Sequence, residues 1–504
     1  MLGIFYSIFL IFLIVSISWY IQIIKAVKWL NRARYLDHTQ IKNTDKKIFI
    51  IIPVLDEVSR LEPTVNYFLD SFNNIKLVLV TTESEFLVYK SKTNEHINRL
   101  NKFVLKRNIN KIKSFLETVT KQTFIINPTD NLHQILNKAK QVIENRFNTI
   151  DIVKQLKKKN RDILWYHYPY RNGKMAHQLN YAINKIISEN GEDHLFAIYN
   201  ADSSPHKNTI TWILSYLNEH PGIEVFQQYG DYFKNVNQFK RISGGLLLSA
   251  ASWQVRWSLG FEIANAIKQF KFLNRIQKKS FKSFNYPLNY CIGHGLFFTK
   301  NVFLNLNGFN EKTHNEDAIF GLELSYLQKI IMPVPYFDET DTPDTISGLF
   351  RQKINWFFGP LQAFEYFNII KNRRKRFEIV NTVRLFILTI KLFSHALRWL
   401  LGPILFVFAA LFVILNFKFL YLTIFWIEVF LLLVLPNYVS WLIINKNKNC
   451  VSTRKLKTFL TLTTFSLPFY ILHGLAGYNA LIKYLLSKIF NIELKKEKTE
   501  MAIN

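Results

Sequence analysis

The first 24 residues, MLGIFYSIFLIFLIVSISWYIQII, carry no charged side chain. At 1.5 Å per residue they make roughly 36 Å of helix, enough to cross the hydrocarbon core of a bilayer. A secretory signal places its positive charge ahead of the apolar run and a small-residue cleavage site behind it. Here the order is reversed, because Lys25, Lys28, Arg32 and Arg34 follow the run. The segment 1–24 therefore reads as a transmembrane helix, and positive-inside bias puts everything after residue 25 in the cytoplasm.

Two further blocks, 397–415 and 419–443, read as a helical hairpin around Asn416, Phe417 and Lys418. Lys446, Lys448, Arg454, Lys455 and Lys457 follow it and return the chain to the cytoplasmic side. Residues 458–485 are apolar but interrupted by Pro468, His473, Gly474 and Gly477, which fits one kinked span or a re-entrant pair. The region 379–485 thus holds about three spans, and 486–504 is a basic tail. Between the soluble part and these spans, 351–378 reads as an interfacial amphipathic segment, with Ile354, Phe357, Phe358, Leu361 and Phe364 at helical spacing and Pro360 as a kink. Lys371, Arg373, Arg374, Lys375 and Arg376 fit either contact with anionic lipid or a solvated linker.

Lys and Arg number 64 against 36 Asp and Glu, a formal net charge of +28. Gathered on one surface, such a charge suggests nucleic acid; spread over loops beside membrane spans, it fits a membrane enzyme that handles an anionic substrate. Part of it follows from a skew toward Lys, Asn, Ile and Phe of the kind an A/T-rich genome produces. The two cysteines, Cys291 and Cys450, exclude a disulfide framework and a Cys-rich zinc module.

The soluble region, 45–350, alternates short apolar runs with helix-like stretches in an α/β manner. Strands are predicted at 47–52, 77–80 and 195–199, with a polar Lys- and Asn-rich insertion at about 85–160. Open α/β sheets bind ligands at the carboxyl ends of their strands. The residues there are Pro53, Asp56 and Glu57; Thr81, Thr82 and Glu83; Asn200, Asp202, Ser203 and Ser204; and, further on, Asn315, Glu316 and Asp317. A single Asp after a strand is more often a turn or helix cap. The four places in this order, with Gly173-Lys174 between the second and third, say more.

In that order they resemble the membrane-bound members of glycosyltransferase family 2, the group of cellulose, chitin and hyaluronan synthases and ceramide glucosyltransferase. The resemblance covers about 47–360 and the plan of one membrane helix before and several after. Pro53 to Glu57 match a Pro-x-x-Asn/Asp-Glu strand end, and Gly173 to Asn180 match a Lys-Ala-x-x-Leu-Asn helix start. Asp202-Ser-Ser204 is a loose Asp-x-Asp, Glu316-Asp317 is the acceptor-side acidic pair, and Gln352-Lys-Ile-Asn355-Trp356 is an imperfect Gln-x-x-Arg-Trp.

The resemblance implies a GT-A-type nucleotide-sugar-binding α/β domain and inverting hexosyl transfer to a lipid-linked or saccharide acceptor, catalysed on the cytoplasmic face of a plasma or inner membrane. Pro53, Asp56, Glu57, Glu83, Lys174 and Asp202 would address the donor. Asp202 and Ser204 would hold Mg2+ or Mn2+, which needs only one or two protein carboxylates beside the phosphates. Asp317, with Glu316, would be the general base, since an attacking hydroxyl must lose its proton to a carboxylate. Taken alone, Lys174 also reads as a solvated lysine and Glu316-Asp317 as an acidic pair at a helix N-terminus. Gly293, His294 and Gly295 fall where the family has a Gly-rich loop beside the acceptor; with Gln352 and Trp356 they are the acceptor candidates. His294 alone also reads as a structural hydrogen-bonder. Asn355 in place of Arg, and only about three later spans, point to one or a few additions rather than a processive polysaccharide synthase. A catalytically inactive, membrane-tethered assembly subunit is the rival of another class, and the retention of Asp202 and Asp317 speaks against it.

Overall fold

The computed structural model describes residues 2–35, 47–55, 57–58, 60–105, 109–120, 131–144, 148–171, 173–190, 194–236, 241–276, 286–374, 379–445, 452–492 and 494. The chain forms two compact units: Phe49–Gly191, and Met1–Ile48 together with Glu192–Asn504. The second begins with α1 (Leu2–Ala33), which runs past the uncharged block into its basic end.

In the first unit, β1 (Lys47–Pro53), α2 (Leu61–Ser71) and β2 (Ile75–Thr82) are followed by α3 (Glu83–Leu105), α4 (Ile109–Thr120), α5 (Leu132–Glu144), α6 (Thr149–Lys159), β3 (Ile163–Tyr168) and α7 (Met175–Glu189). The Ile-rich run of β1 is buried on both faces, as a continuous β-branched strand should be. The strand order is β3-β2-β1, with β2 and β3 parallel and Leu77 opposite Ile163. Val54 N donates to Val80 O at 2.9 Å, so the carboxyl ends of β1 and β2 adjoin. The polar insertion is helical: α3, α4 and α5 share a small core of Leu100, Ile112, Leu116, Ile135, Ala139 and Ile143.

The other unit continues with β4 (His194–Ile198), β5 (Ser204–Pro205), α8 (Thr209–Glu219), β6 (Val225–Gln227), α9 (Arg241–Trp257), a π-helical turn at Ser258–Ile263, and α10 (Ala264–Ile276). Then come β7 (Leu296–Thr299), α11 (Lys300–Asn305), α12 (Glu316–Tyr326), β8 (Ile331–Pro333), β9 (Asp338–Glu339), α13 (Ile346–Leu361) and α14 (Ala363–Arg373). The strand order is β4-β7-β6-β8: β7 is antiparallel to both its neighbours and β8 parallel to β6, while β5 and β9 make a separate antiparallel pair.

The chain ends in α15 (Ile379–Leu415), α16 (Phe419–Val429), a π-helical turn at Phe430–Val434, α17 (Leu435–Asn445) and α18 (Ser452–Ile489). Among the described residues, four helices are long and apolar enough to cross a membrane: Leu2–Ala33, Asn381–Leu415, Phe419–Asn445 and Arg454–Ile489. The interrupted run at 458–485 is therefore one continuous helix through Pro468. The segment read as interfacial forms most of α13, with α14 after it. Ile354, Phe357, Phe358 and Leu361 are buried against Ala396 of α15 and Ala476 and Ala480 of α18, and Arg373 and Arg374 reach the buried Glu323 carboxylate at 3.2 and 2.8 Å. Lys375 and Arg376 lie outside the described residues.

Candidate active site

On the Phe49–Gly191 unit, the predicted donor residues stand at strand ends. Pro53 closes β1, Asp56 lies outside the described residues, and the Glu57 carbonyl accepts from the Leu61 amide at 3.1 Å as α2 starts. Glu83 opens α3, and its carboxylate is 3.2 Å from Nε2 of His167 on β3. His167 Nδ1 is in turn 3.0 Å from Thr81 Oγ1, so a chain of polar contacts holds the ends of β2 and β3. Lys174 is the extended N-cap residue of α7. A Cβ on Gly173 would stand 2.7 Å from the Tyr168 ring, so only glycine lets the loop pack there.

On the other unit, β4 runs into the turn that carries Asp202. Ser204 N donates to Asp338 Oδ1 at 2.8 Å, which ties the turn to β9. Lys234 Nζ donates to the Asp202 carbonyl at 2.8 Å and to Ser204 Oγ at 2.7 Å. Asp338 is fully buried and faces His294 Nδ1 across 3.4 Å, and His294 Nε2 is 3.4 Å from the Tyr232 hydroxyl. Burial works against the charged form of His294, but Asp338, with Asp202 and Glu262, outweighs it and raises the imidazole pKa. Gly295 at φ +63° is required, since a Cβ there would lie 2.6 Å from the Gln228 carbonyl oxygen.

Asp317 lies in the first turn of α12, where Asn315 is the N-cap, and its Oδ1 accepts from the Ala318 amide at 2.8 Å. It opens into a cavity of about 130 Å3. Trp253 and Trp257 of α9, Trp356 of α13, Trp399 of α15, and Tyr232 and Tyr290 from loops wall that cavity, along with Glu262 of the π-helical turn. Tyr232 is held at φ +57°, a left-handed conformation that a bulky residue adopts only when its surroundings impose it. Lys353, the second residue of the Gln352–Trp356 motif, is 2% exposed. Its ammonium lies 4.0 Å from the centroid of the Trp356 ring and 3.3 Å from Gln254 Oε1, and burial lowers its pKa to about 7.

Of the predicted acceptor residues, only Trp356 lines the cavity. Gly293, His294 and Gly295 do not, although their neighbours Cys291 and Ile292 do, and Gln352 is half-buried away from it. Glu316 is buried beside Asp317. Sequence reasoning missed Lys234, Asp338, Lys353 and Glu262. An unbroken Ser258–Phe261 stretch in an otherwise helical pattern gives no sign of a π-turn, whereas the Lys inside the Gln-Lys-Ile-Asn-Trp motif was legible and was passed over.

The family described as glycosyl transferase family group 2 matches residues 262–445, from Glu262 to the end of α17 and across Asp317 and Trp356. No curated protein matches the chain. Among solved structures, a mannosyltransferase from Pyrobaculum calidifontis, in complex with GDP-Man and Mn2+, is similar at 11% identity and a TM-score of 0.41, over 96% of this chain and 99% of that one. At that score the family match and the ordered motifs carry the assignment. Over residues 262–445, and beside a mixed α/β sheet and, among the described residues, four membrane-length helices, the chain is thus similar to the glycosyl transferase family group 2.

Proposed function

We propose that this enzyme is membrane-bound and inverting, and that it moves a hexosyl group from a nucleotide-diphosphate sugar to a hydroxyl of a lipid-linked or saccharide acceptor, one or a few residues at a time. The catalytic domain faces the cytoplasm, as the basic residues after α1 and α17 suggest. The observation that carries the reading is the opening of Asp317 into an aromatic-walled cavity. Aromatic rings bind sugar faces, and a carboxylate there is placed to take a hydroxyl proton.

In the reaction, the acceptor oxygen bonds to the anomeric carbon as its proton passes to Asp317, and the bond from that carbon to the diphosphate breaks. The departing nucleoside diphosphate gains charge, and cationic groups lower the barrier. Lys234 occupies Ser204 Oγ, which leaves Asp202 as the carboxylate for a divalent ion. Among the described residues no three His, Cys, Asp or Glu gather to hold a metal, so Mg2+ or Mn2+ would bind with the donor phosphates and supply charge neutralisation. Pro53, Glu57, Glu83 and Lys174 remain the candidates for the nucleotide on their own unit. His294, 3.4 Å from both Asp338 and Tyr232, acts on the Asp202 turn rather than on the acceptor.

The purified protein, offered a panel of nucleotide-sugars with Mg2+ or Mn2+, should release nucleoside diphosphate from one donor. Release from none of them, with an acceptor mixture extracted from membranes present, would contradict the proposal.

A further inference from the structure

The cavity beside Asp317 holds a second carboxyl group that the reaction above leaves unused. Glu262 sits in the π-helical turn Ser258–Ile263, a geometry that re-aims side chains and recurs at functional sites. It is 2% exposed, lines the cavity, and its Oε2 has no hydrogen-bond partner among the described residues. A buried carboxyl oxygen without a partner is costly, so a group that enters the cavity and pairs with it gains binding. The titratable groups that act on it are Asp317 from α12, His294 from the loop before β7, and Tyr229, Tyr232 and Tyr290 from loops, while His395 of α15 and His473 of α18 line the same cavity. Burial raises its pKa to about 7, with Ser258, His294 and Trp257 opposing the rise and Asp317 adding to it. Around neutral pH the carboxyl is thus partly protonated, able to give and accept a hydrogen bond, and it gains negative charge beside Asp317 as pH rises.

Resting on the glycosyl-transfer reading, we propose that Glu262 is an acceptor-binding residue whose free oxygen pairs with a hydroxyl of an uncharged acceptor head seated on the Trp356 ring. The two carboxyl groups then discriminate against an acceptor that presents an anionic head. An acceptor sugar supplies hydroxyls to both and a ring face to the tryptophan, whereas a phosphate or sulfate head meets like charge in a low-dielectric pocket. The acceptor class is therefore a neutral glycoside or alcohol on an apolar carrier, not a lipid phosphate.

Trp253, Trp257, Trp356 and Trp399 line the cavity, so intrinsic fluorescence reports its occupancy without turnover. The full-length protein in nanodiscs would be titrated with n-octyl β-glucoside and with n-octyl sulfate, an anion of the same chain length whose charge does not change between pH 6 and 8. The wild type should bind the glucoside at least about tenfold more tightly than the sulfate at pH 8. Glu262→Gln should keep the glucoside affinity, and Glu262→Ala should lose about tenfold of it. Sulfate affinity should fall between pH 6 and 8 more steeply in the wild type than in Glu262→Gln, which keeps only the part of the fall that Lys353 beside Trp356 and His294 supply, a pH difference that a purely structural role would not make. Equal affinity for the two probes, or identical pH profiles in wild type and Glu262→Gln, would overturn the assignment. Donor hydrolysis by the same preparation keeps the two readings apart. Hydrolysis without probe discrimination defeats this inference alone, and discrimination without turnover of any donor defeats the reaction and leaves the pocket's preference standing.

Discussion

Gly321 lies one turn after Asp317 on α12, and its missing side chain lets the helix press against the loop that forms part of the cavity wall. A Cβ at Gly321 would stand 2.6 Å from the Tyr290 carbonyl carbon and closer still to Tyr290 Cα and the Cys291 amide nitrogen. Ordinary carbon contacts begin near about 3.5 Å, so α12 and the loop must part by about 1 Å, and backbone atoms cannot rotate away as a side chain can. Gly321→Ala should therefore cost about 1–3 kcal/mol of stability through overpacking, offset in part by the roughly 0.5–1 kcal/mol that alanine gains in a helix. A shift of about 1 Å at a catalytic carboxylate is worth on the order of 10² in rate. Gly359 lines the same cavity from α13, yet a Cβ there meets its nearest atom at 3.6 Å, an ordinary contact. Gly359→Ala should be neutral or slightly stabilising. Thermal melts and sugar-transfer rates of the two variants, measured side by side, check the pair. Wild-type transfer by Gly321→Ala, or equal damage from both, would refute the placement of α12 against the loop.

Three further outcomes follow from the same geometry. Asp202→Asn should remove the part of nucleotide affinity that EDTA also removes, while Lys234→Ala should weaken the part that survives EDTA; calorimetric titration with and without chelator separates them. Trp356→Ala should raise the acceptor KM and leave donor affinity unchanged in steady-state kinetics. Lys353, with its pKa lowered to about 7 from an ordinary 10.5, holds fewer protons folded than unfolded between those values, so its contribution makes stability rise with pH across that window. Lys353→Met should flatten the rise in melting temperature between pH 7 and 9 and stabilise the protein at pH 7 by a few kcal/mol at most, on the order of the 1.36 kcal/mol per pKa unit that burial imposes; an unchanged slope would show that the lysine titrates normally.

The strands that read clearly from the sequence, β1, β2 and β4, are those whose Ile, Val, Leu and Phe runs are buried on both faces and give way to Pro or to polar residues. β3 is not legible in the sequence, because Ile163–Tyr168 is mostly half-buried and carries Trp, Tyr and His in place of an aliphatic run. The insertion at 85–160 showed weak periodicity because each of its helices buries only a narrow stripe in a small shared core. The motifs singled out Asp202, which follows β4, Asp317, which opens α12, and Trp356, which stands inside the Gln-Lys-Ile-Asn-Trp pattern of α13. They did not locate the residues that complete the sites. Lys234 and Asp338 reach the Asp202 turn from segments about 100 residues apart, and Glu262 depends on a π-turn. The cavity's aromatic wall is built from helices and loops between Tyr232 and His473, a convergence set by packing rather than by any local pattern.

The central claim is that Asp317 takes the acceptor proton in this cavity. With the donor identified by nucleoside diphosphate release, a single-turnover comparison of wild type and Asp317→Asn, at saturating donor and with donor affinity measured separately, tests it most directly. Donor affinity should be unchanged and sugar transfer slower by about 10² or more, as befits the loss of a general base. Transfer within a few-fold of wild type would contradict the claim and move the proton acceptor elsewhere.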